Sequence, residues 1–441
     1  MTLRAFWLSF FWLGLAVASA PAQEAWQRAH EAGIKAAKEA RFADSEKLLS
    51  QAVQEARHLS ELSPLLGRSL LDLAEVYRTE GRYSEAQPYY EEALQVDSKR
   101  HGPDSLEVAE VLDRQAELFK TLGDYSHAEP RLQRSLEIRK KELPADSLPV
   151  AQTQNGLGEL YRALGSYDKA QPLLEAALAT RQKILGAESK EVAETLEALG
   201  NLSKQTGKSV EAEQLFRQAV SVYGKTVGGD DPDYANAMEG LALFYCGRQQ
   251  YDLASPLLER VLDIREKTLG PDHHDVAVSL DNIALVRLQQ KQYQQAAAFY
   301  ERAIKIWERI LGAESPDLSA DLSNLASAYE RMGNPKAAEP LLVRSLSNDQ
   351  KSLPPDSPDL ASDLQNLAML YYLTHRPEQA VPLYQHALDI RTKVLGADDP
   401  DTLITMRDYA ITLRFLGHSS EARELELKIK ASEAKGKAGS N

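Results

Sequence analysis

The chain has 441 residues, 43% of them hydrophobic, and one cysteine, Cys246. A large core is affordable, an intrachain disulfide is not, and no local histidine and amide stand by to make the thiol a nucleophile. Acids exceed bases by 65 to 51, for a net charge of −14, so the basic footprint of a nucleic-acid binder is missing.

The first 22 residues differ from all that follows. Arg4 precedes an apolar run from Ala5 to Ala18, and small residues close the segment. That is the plan of a secretory signal peptide, with cleavage expected after Ala22 rather than before Pro21. The run is shorter than the ~20 residues of a spanning helix, which argues against a retained anchor. Export to a periplasm or beyond is the expectation.

From residue 23 to 430 the chain repeats with a step of 42. "GRYSEA" (81–86), "GDYSHA" (123–128) and "GSYDKA" (165–170) begin a series that ends at "GHSSEA" (417–422). Every block ends in alanine, from Ala86 through Ala254 to Ala422. Twelve residues upstream is a second small position: Ala74, Ala116, Gly158, Gly200, Ala242, Ala284, Ala326, Ala368 and Ala410. Small residues in phase let two helices approach closely, and the large apolar residues around them, such as Leu73, Tyr77 and Tyr90, form the buried stripe.

Each unit therefore reads as helix A, a short turn, helix B and a loop. Glycine in the turn (Gly81, Gly123, Gly165, Gly207) accepts the left-handed end of helix A. Ser84, Ser126, Asp168, Asp252 and Ser420 are expected to cap helix B, with prolines such as Pro88 in its first turn. Bases recur at the end of helix B (Lys99, Lys141, Lys183, Lys225, Lys267, Arg309, Lys351 and Lys393), where the helix dipole favours cations. An acid follows in the loop, and then a cap for the next helix A: Ser105, Ser147, Ser189, Asp231, His273, Ser315, Ser357 and Asp399. The adjacent His273 and His274 thus read as cap and first helical residue, not as metal ligands. One more unit, residues 30–57, precedes the series, giving about ten helix pairs. Residues 431–441 hold no apolar cluster and are expected to be disordered.

A small residue, an aromatic, an alanine and a terminal proline in a helix–turn–helix unit resemble the tetratricopeptide repeat. The 42-residue length, with "REKTLGPDHHDVAVSLDNIALV" (265–286) and "RTKVLGADDPDTLITMRDYA" (391–410), is similar to the kinesin-light-chain type of that family. The resemblance implies an all-α solenoid, a right-handed superhelix with helix A on the concave side, that binds proteins or peptides and does no chemistry. It does not carry the kinesin role, because the long heptad segment of that family is not found here.

The groove candidates follow from the resemblance and from phase. Asn282, Asn324 and Asn366 precede the small residue by two in consecutive units, and they resemble the family's asparagine that grips a peptide backbone. Asn155 and Asn201 are further groove candidates. Arg78, Lys120, Arg162 and Lys204 form a basic row four residues after the small position, with Glu75, Glu117 and Glu159 one turn earlier. That row reads either as charge pairs on a solvated face or as a receptor for acidic peptide groups. The co-chaperone clamp for a C-terminal carboxylate is missing: Leu71, Asp72, Glu75, Asp113 and Glu117 stand at its positions.

The expectation is an exported, monomeric, non-catalytic scaffold for a protein or peptide ligand, without cofactor or metal and without membrane insertion after signal cleavage. A subunit that self-assembles end to end is the alternative; polar first and last units speak for capped ends instead.

Overall fold

The computed structural model describes residues 23–39, 41–60 and 63–439, so the expected signal segment lies outside the described residues. All regular structure among the described residues is helical. The chain divides into two compact units, Met1–Thr226 and Val227–Asn441.

The first unit carries α1 (23–38), α2 (Phe42–Leu59), α3 (Pro64–Thr79), α4 (Tyr83–His101), α5 (Leu106–Thr121), α6 (Tyr125–Glu142), α7 (Leu148–Ala163), α8 (Tyr167–Leu185), α9 (Lys190–Gln205) and α10 (Ser209–Thr226). The second carries α11 (Pro232–Gly247), α12 (Tyr251–Leu269), α13 (His274–Gln289) and α14 (Tyr293–Leu311). A short 3-10 turn, Pro316–Leu318, then leads into α15 (Ser319–Arg331). After it come α16 (Pro335–Ser352), α17 (Pro358–Leu373), α18 (Pro377–Val394), α19 (Pro400–Phe415) and α20 (Ser419–Gly439). From α3 on, each odd helix packs most heavily on the even helix that follows, as the A–B hairpin requires. Successive odd helices also touch, as α5 touches α7 in the first unit and α15 touches α17 in the second, so they form the tighter layer.

The small positions do what the repeat predicts. Ala86, Ala128, Ala170, Ala212, Ala254, Ala296, Ala338, Ala380 and Ala422 have no exposed surface. A Cβ on Gly158 would lie 2.7 Å from Leu174 Cγ, and one on Gly200 would lie 3.1 Å from the Phe216 ring. The backbones cross where there is room for little more than a hydrogen.

The A–B turn is left-handed in every repeat from Gly81 on, including those that lack glycine. Gln249, Lys291 and His375 hold φ of 58°, 63° and 60° at the slots where Gly81, Gly123 and Gly165 hold 71–76°. Caps of helix A follow the reading: seven of the eight predicted caps accept a backbone N–H, and Ser147 alone does not. His273 is among the seven, its Nδ1 accepting from Asp275 N at 3.1 Å.

Three details differ from the sequence reading. Helix B starts two residues earlier than those caps imply, at Tyr83, Tyr125, Tyr167 and Tyr251, so Ser84, Ser126, Asp168 and Asp252 lie inside it. Ser420 likewise lies inside α20. The cap slot falls on Arg82, Asp124, Ser166 and Gln250, of which only Asp124 caps with its side chain. Pro88 and its counterparts are sixth residues of helix B, not first-turn residues, so each leaves one carbonyl of the preceding turn without its helical N–H. Finally, α20 runs on to Gly439 where disorder was expected. Alanine, glutamate and lysine from 431 onward are strong helix formers, and Ile429 and Ser432 are buried.

The bases at the end of helix B do more than meet the helix dipole. Several reach back to the acid of the preceding loop, Lys183 to Asp146 at 2.6 Å and Lys225 to Glu188 at 2.5 Å in the first unit, whereas Lys267 pairs with Asp263 on its own helix and leaves Asp230 to Arg260. In the second unit Arg309 meets Asp272 at 2.5 Å, Lys351 meets Glu314 at 2.9 Å and Lys393 meets Asp356 at 2.9 Å.

Candidate binding groove

The face of the odd helices is the candidate groove, because the predicted asparagines and bases all sit on α3, α5, α7, α9, α13, α15 and α17. In the first unit, a cavity of about 570 Å³ is lined by Asn155, Glu117, Glu159, Arg181 and Glu194. Asn155 is buried; its Nδ2 donates to Glu159 Oε1 at 3.3 Å and its Oδ1 has no partner. Asn201 is half-buried on α9.

The basic row splits. Arg78 is tied to Glu75, which also accepts from the Tyr90 hydroxyl at 2.8 Å. Lys120 donates to Glu117 at 2.9 Å and, across to α7, to Glu159 at 3.1 Å. Burial works against the Lys120 charge, but Glu159 and Glu117 outweigh it and hold the pKa above its ordinary value. Arg162 donates to Gln205 Oε1 at 3.3 Å, while its Nε is buried without a partner. Lys204 is exposed at the end of α9. Arg78 and Lys120 are thus already neutralised within the fold.

In the second unit Asn324 and Asn366 open onto one cavity of about 450 Å³, together with Ser323, Asp349, Asp359 and Asp363. Asn282 does not join them. Its Nδ2 donates to Glu239 Oε1 at 3.0 Å on the preceding odd helix. Cys246 is half-buried at the end of α11, and burial pushes its thiol up, away from the reactive thiolate.

A second periodic set was not recognised in the sequence. Arg139, Arg181, Arg265 and Arg391 are all buried, near the ends of α6, α8, α12 and α18. Each Nη1 donates to a hydroxyl 14 residues on: Thr153 at 2.8 Å, Thr195 at 2.7 Å, Ser279 at 2.8 Å and Thr405 at 2.6 Å. Each also reaches a carbonyl near the start of that next helix, as Arg139 reaches Pro149 O at 2.6 Å. Two of them take an acidic partner from the preceding odd helix, Asp113 lying 2.8 Å from Arg139 and Glu239 2.7 Å from Arg265, whereas Arg181 meets Glu194 on the following helix. At Arg139, Arg265 and Arg391 one guanidinium therefore pins three helices. The signal was available, because an arginine and a hydroxyl recur in fixed phase, but only some repeats carry the pair.

A family model described as "Tetratricopeptide repeat" matches residues 30–99, 65–141, 149–225, 233–307, 281–351 and 358–429. The chain belongs to the tetratricopeptide-repeat family. No curated protein matches it. Among solved structures, a putative kinesin light chain from Podosopora anserina with nearly identical TPR-like repeats is 27% identical, over 47% of this chain and 98% of that one, with a TM-score of 0.43. The pilus biogenesis factor PilW is 19% identical over 58% of this chain and 98% of its own, with a TM-score of 0.43. A signal-transduction ATPase of Pyrococcus horikoshii with a tetratricopeptide-repeat sensor is 15% identical. It matches 80% of this chain and 53% of that one at a TM-score of 0.59, a likeness of fold alone.

Proposed function

We propose that this chain is a non-catalytic scaffold of the cell envelope that binds an extended protein segment on the face of its odd helices. The observation that carries the reading is the shared opening of Asn324 and Asn366 onto one cavity on that face. A primary amide both donates and accepts, so it can satisfy a peptide backbone whatever the side chains are. Two such groups one repeat apart fit an extended ligand, and rigid helices keep the ordering cost on binding low. Export rests on the signal-like first 22 residues. The chain acts as a single copy: in the last repeat Glu426 takes the slot that Tyr384 fills one repeat earlier, and it pairs with Arg414 at 2.6 Å, a polar end rather than a sticky one.

The test is selection of binders from a displayed library of random dodecapeptides against the full chain, followed by affinity measurement on Asn282→Ala/Asn324→Ala/Asn366→Ala. The triple variant should lose affinity for the selected peptides at unchanged helicity. Equal affinity for wild type and variant would remove the amides from the binding face.

A further inference from the structure

The cavity of the second unit sits where the internal arginine is missing. One repeat further on, Arg391 Nη1 donates to Thr405 Oγ1 at 2.6 Å and to Asp401 O at 3.1 Å, and it also reaches Gln365 Oε1. Arg391 Nη2 donates to Ser362 Oγ at 3.1 Å. Shift each residue back by the 42-residue step. The arginine becomes Asp349, and the four groups that clasp it become Asp363, Asp359, Ser323 and Ala320. All five line the cavity. The socket is kept, its hydroxyl has become a carboxylate, and the residue that would fill it carries the opposite charge.

The side chains show the same deficit. Asp363 is 5% exposed; its Oδ1 accepts from Ser345 at 2.8 Å, and its Oδ2 has no hydrogen-bond partner. Asp349 is 2% exposed and accepts from Ser319 at 2.5 Å. Burial, reinforced by the charge of Asp349, pushes Asp363 up to about 7. Two buried carboxylates whose charges act on one another gain from a cation, and a buried carboxylate oxygen without a donor leaves a hydrogen bond unmade.

We propose that this cavity receives the guanidinium of an arginine on the bound peptide, which supplies from outside the group that Arg139, Arg181, Arg265 and Arg391 supply from within. Arginine fits better than lysine. Its planar fork presents five donors, enough to meet Asp363 and Asp349 together, and the same fork is what the neighbouring sockets hold. The inference rests on the groove reading and adds the ligand's chemistry to it.

The experiment is calorimetric titration of the full chain with acetyl-Ala-Ala-Arg-Ala-Ala-amide and with the same peptide carrying citrulline, the neutral isostere. The arginine peptide should bind about tenfold more tightly, the change expected of one charge-assisted pair. Asp363→Asn, with helicity checked by circular dichroism, should erase that preference. Asp349→Arg restores the repeat's own guanidinium; it should raise the thermal midpoint and exclude the arginine peptide. Equal binding of the two peptides, no binding of either at millimolar concentration, or a preference that survives Asp363→Asn would each overturn the assignment. The asparagine triple variant keeps the two readings apart. If it weakens both peptides equally while neither is preferred, the groove stands and the socket falls. If it leaves both unchanged while Asp363→Asn erases the preference, the socket stands and the amide contacts fall.

Discussion

Asp281 offers a direct test of how burial sets charge in the second unit. It sits on α13, half-buried, and accepts from Trp307 Nε1 on α14 at 2.9 Å, while its other carboxylate oxygen has no donor. Burial pushes it up to about 7, with the charge of Asp321 on α15 adding to the effect and the tryptophan N–H opposing it. A free aspartate titrates at 3.8, so the folded chain keeps a proton that the unfolded chain has already released. Stability from this group is therefore fully present below about pH 4 and is lost as pH rises through about 7. The gap between the two values corresponds to ~4 kcal/mol at 1.36 kcal/mol per decade. Asp281→Asn removes the charge at every pH and keeps the acceptor for Trp307. Its amide N–H group must find a partner, so the gain at about pH 8 should be roughly 2–4 kcal/mol. Urea denaturation followed by circular dichroism at about pH 4.5 and about pH 8 reads this as a wild-type stability loss that the variant does not share. Parallel pH profiles for the two chains would refute the reasoning.

Other perturbations test other parts of the fold. Ala254→Leu forces three heavy atoms into a crossing with no exposed surface and should cost ~1–3 kcal/mol, read as a lower denaturation midpoint. Lys291→Gly relieves a side chain held at φ 63° and should raise stability by about 1 kcal/mol, measured the same way. Arg265→Met strands Glu239 beside its lost partner; a cost of about 3–5 kcal/mol is expected. A second change, Glu239→Gln, should recover much of it in a double-mutant cycle.

The fold was legible because its determinant is local and repeated. A small residue at Ala74 and another at Ala86 say little alone; the same pair in every unit fixes hairpin, phase and period together. The caps of helix A were legible for the same reason, down to His273. Helix B starts were not, because the true cap slot holds Arg82, Ser166 or Gln250, whose side chains do not cap, so the polar residue two further on drew attention. The candidate site was legible only in part. Asn324 and Asn366 line one cavity, but equal phase did not give Asn282 the same surroundings, because Glu239 lies within its reach. The socket at Asp349 was hidden, since an aspartate in an acidic chain carries no mark. It becomes visible only against the arginines of the neighbouring repeats, and their burial is a tertiary fact.

The loop ion pairs have one more effect. Some loops serve two junctions: in residues 183–188, Lys183 is anchored to Asp146 behind while Glu188 is grasped by Lys225 ahead. The spacing between base and acid within a loop is thus a shared gauge, checked from both sides. Inserting a single residue there misaligns two neighbours at once, so drift in length is resisted wherever a loop is tied on both sides, even though each tie on its own is weak.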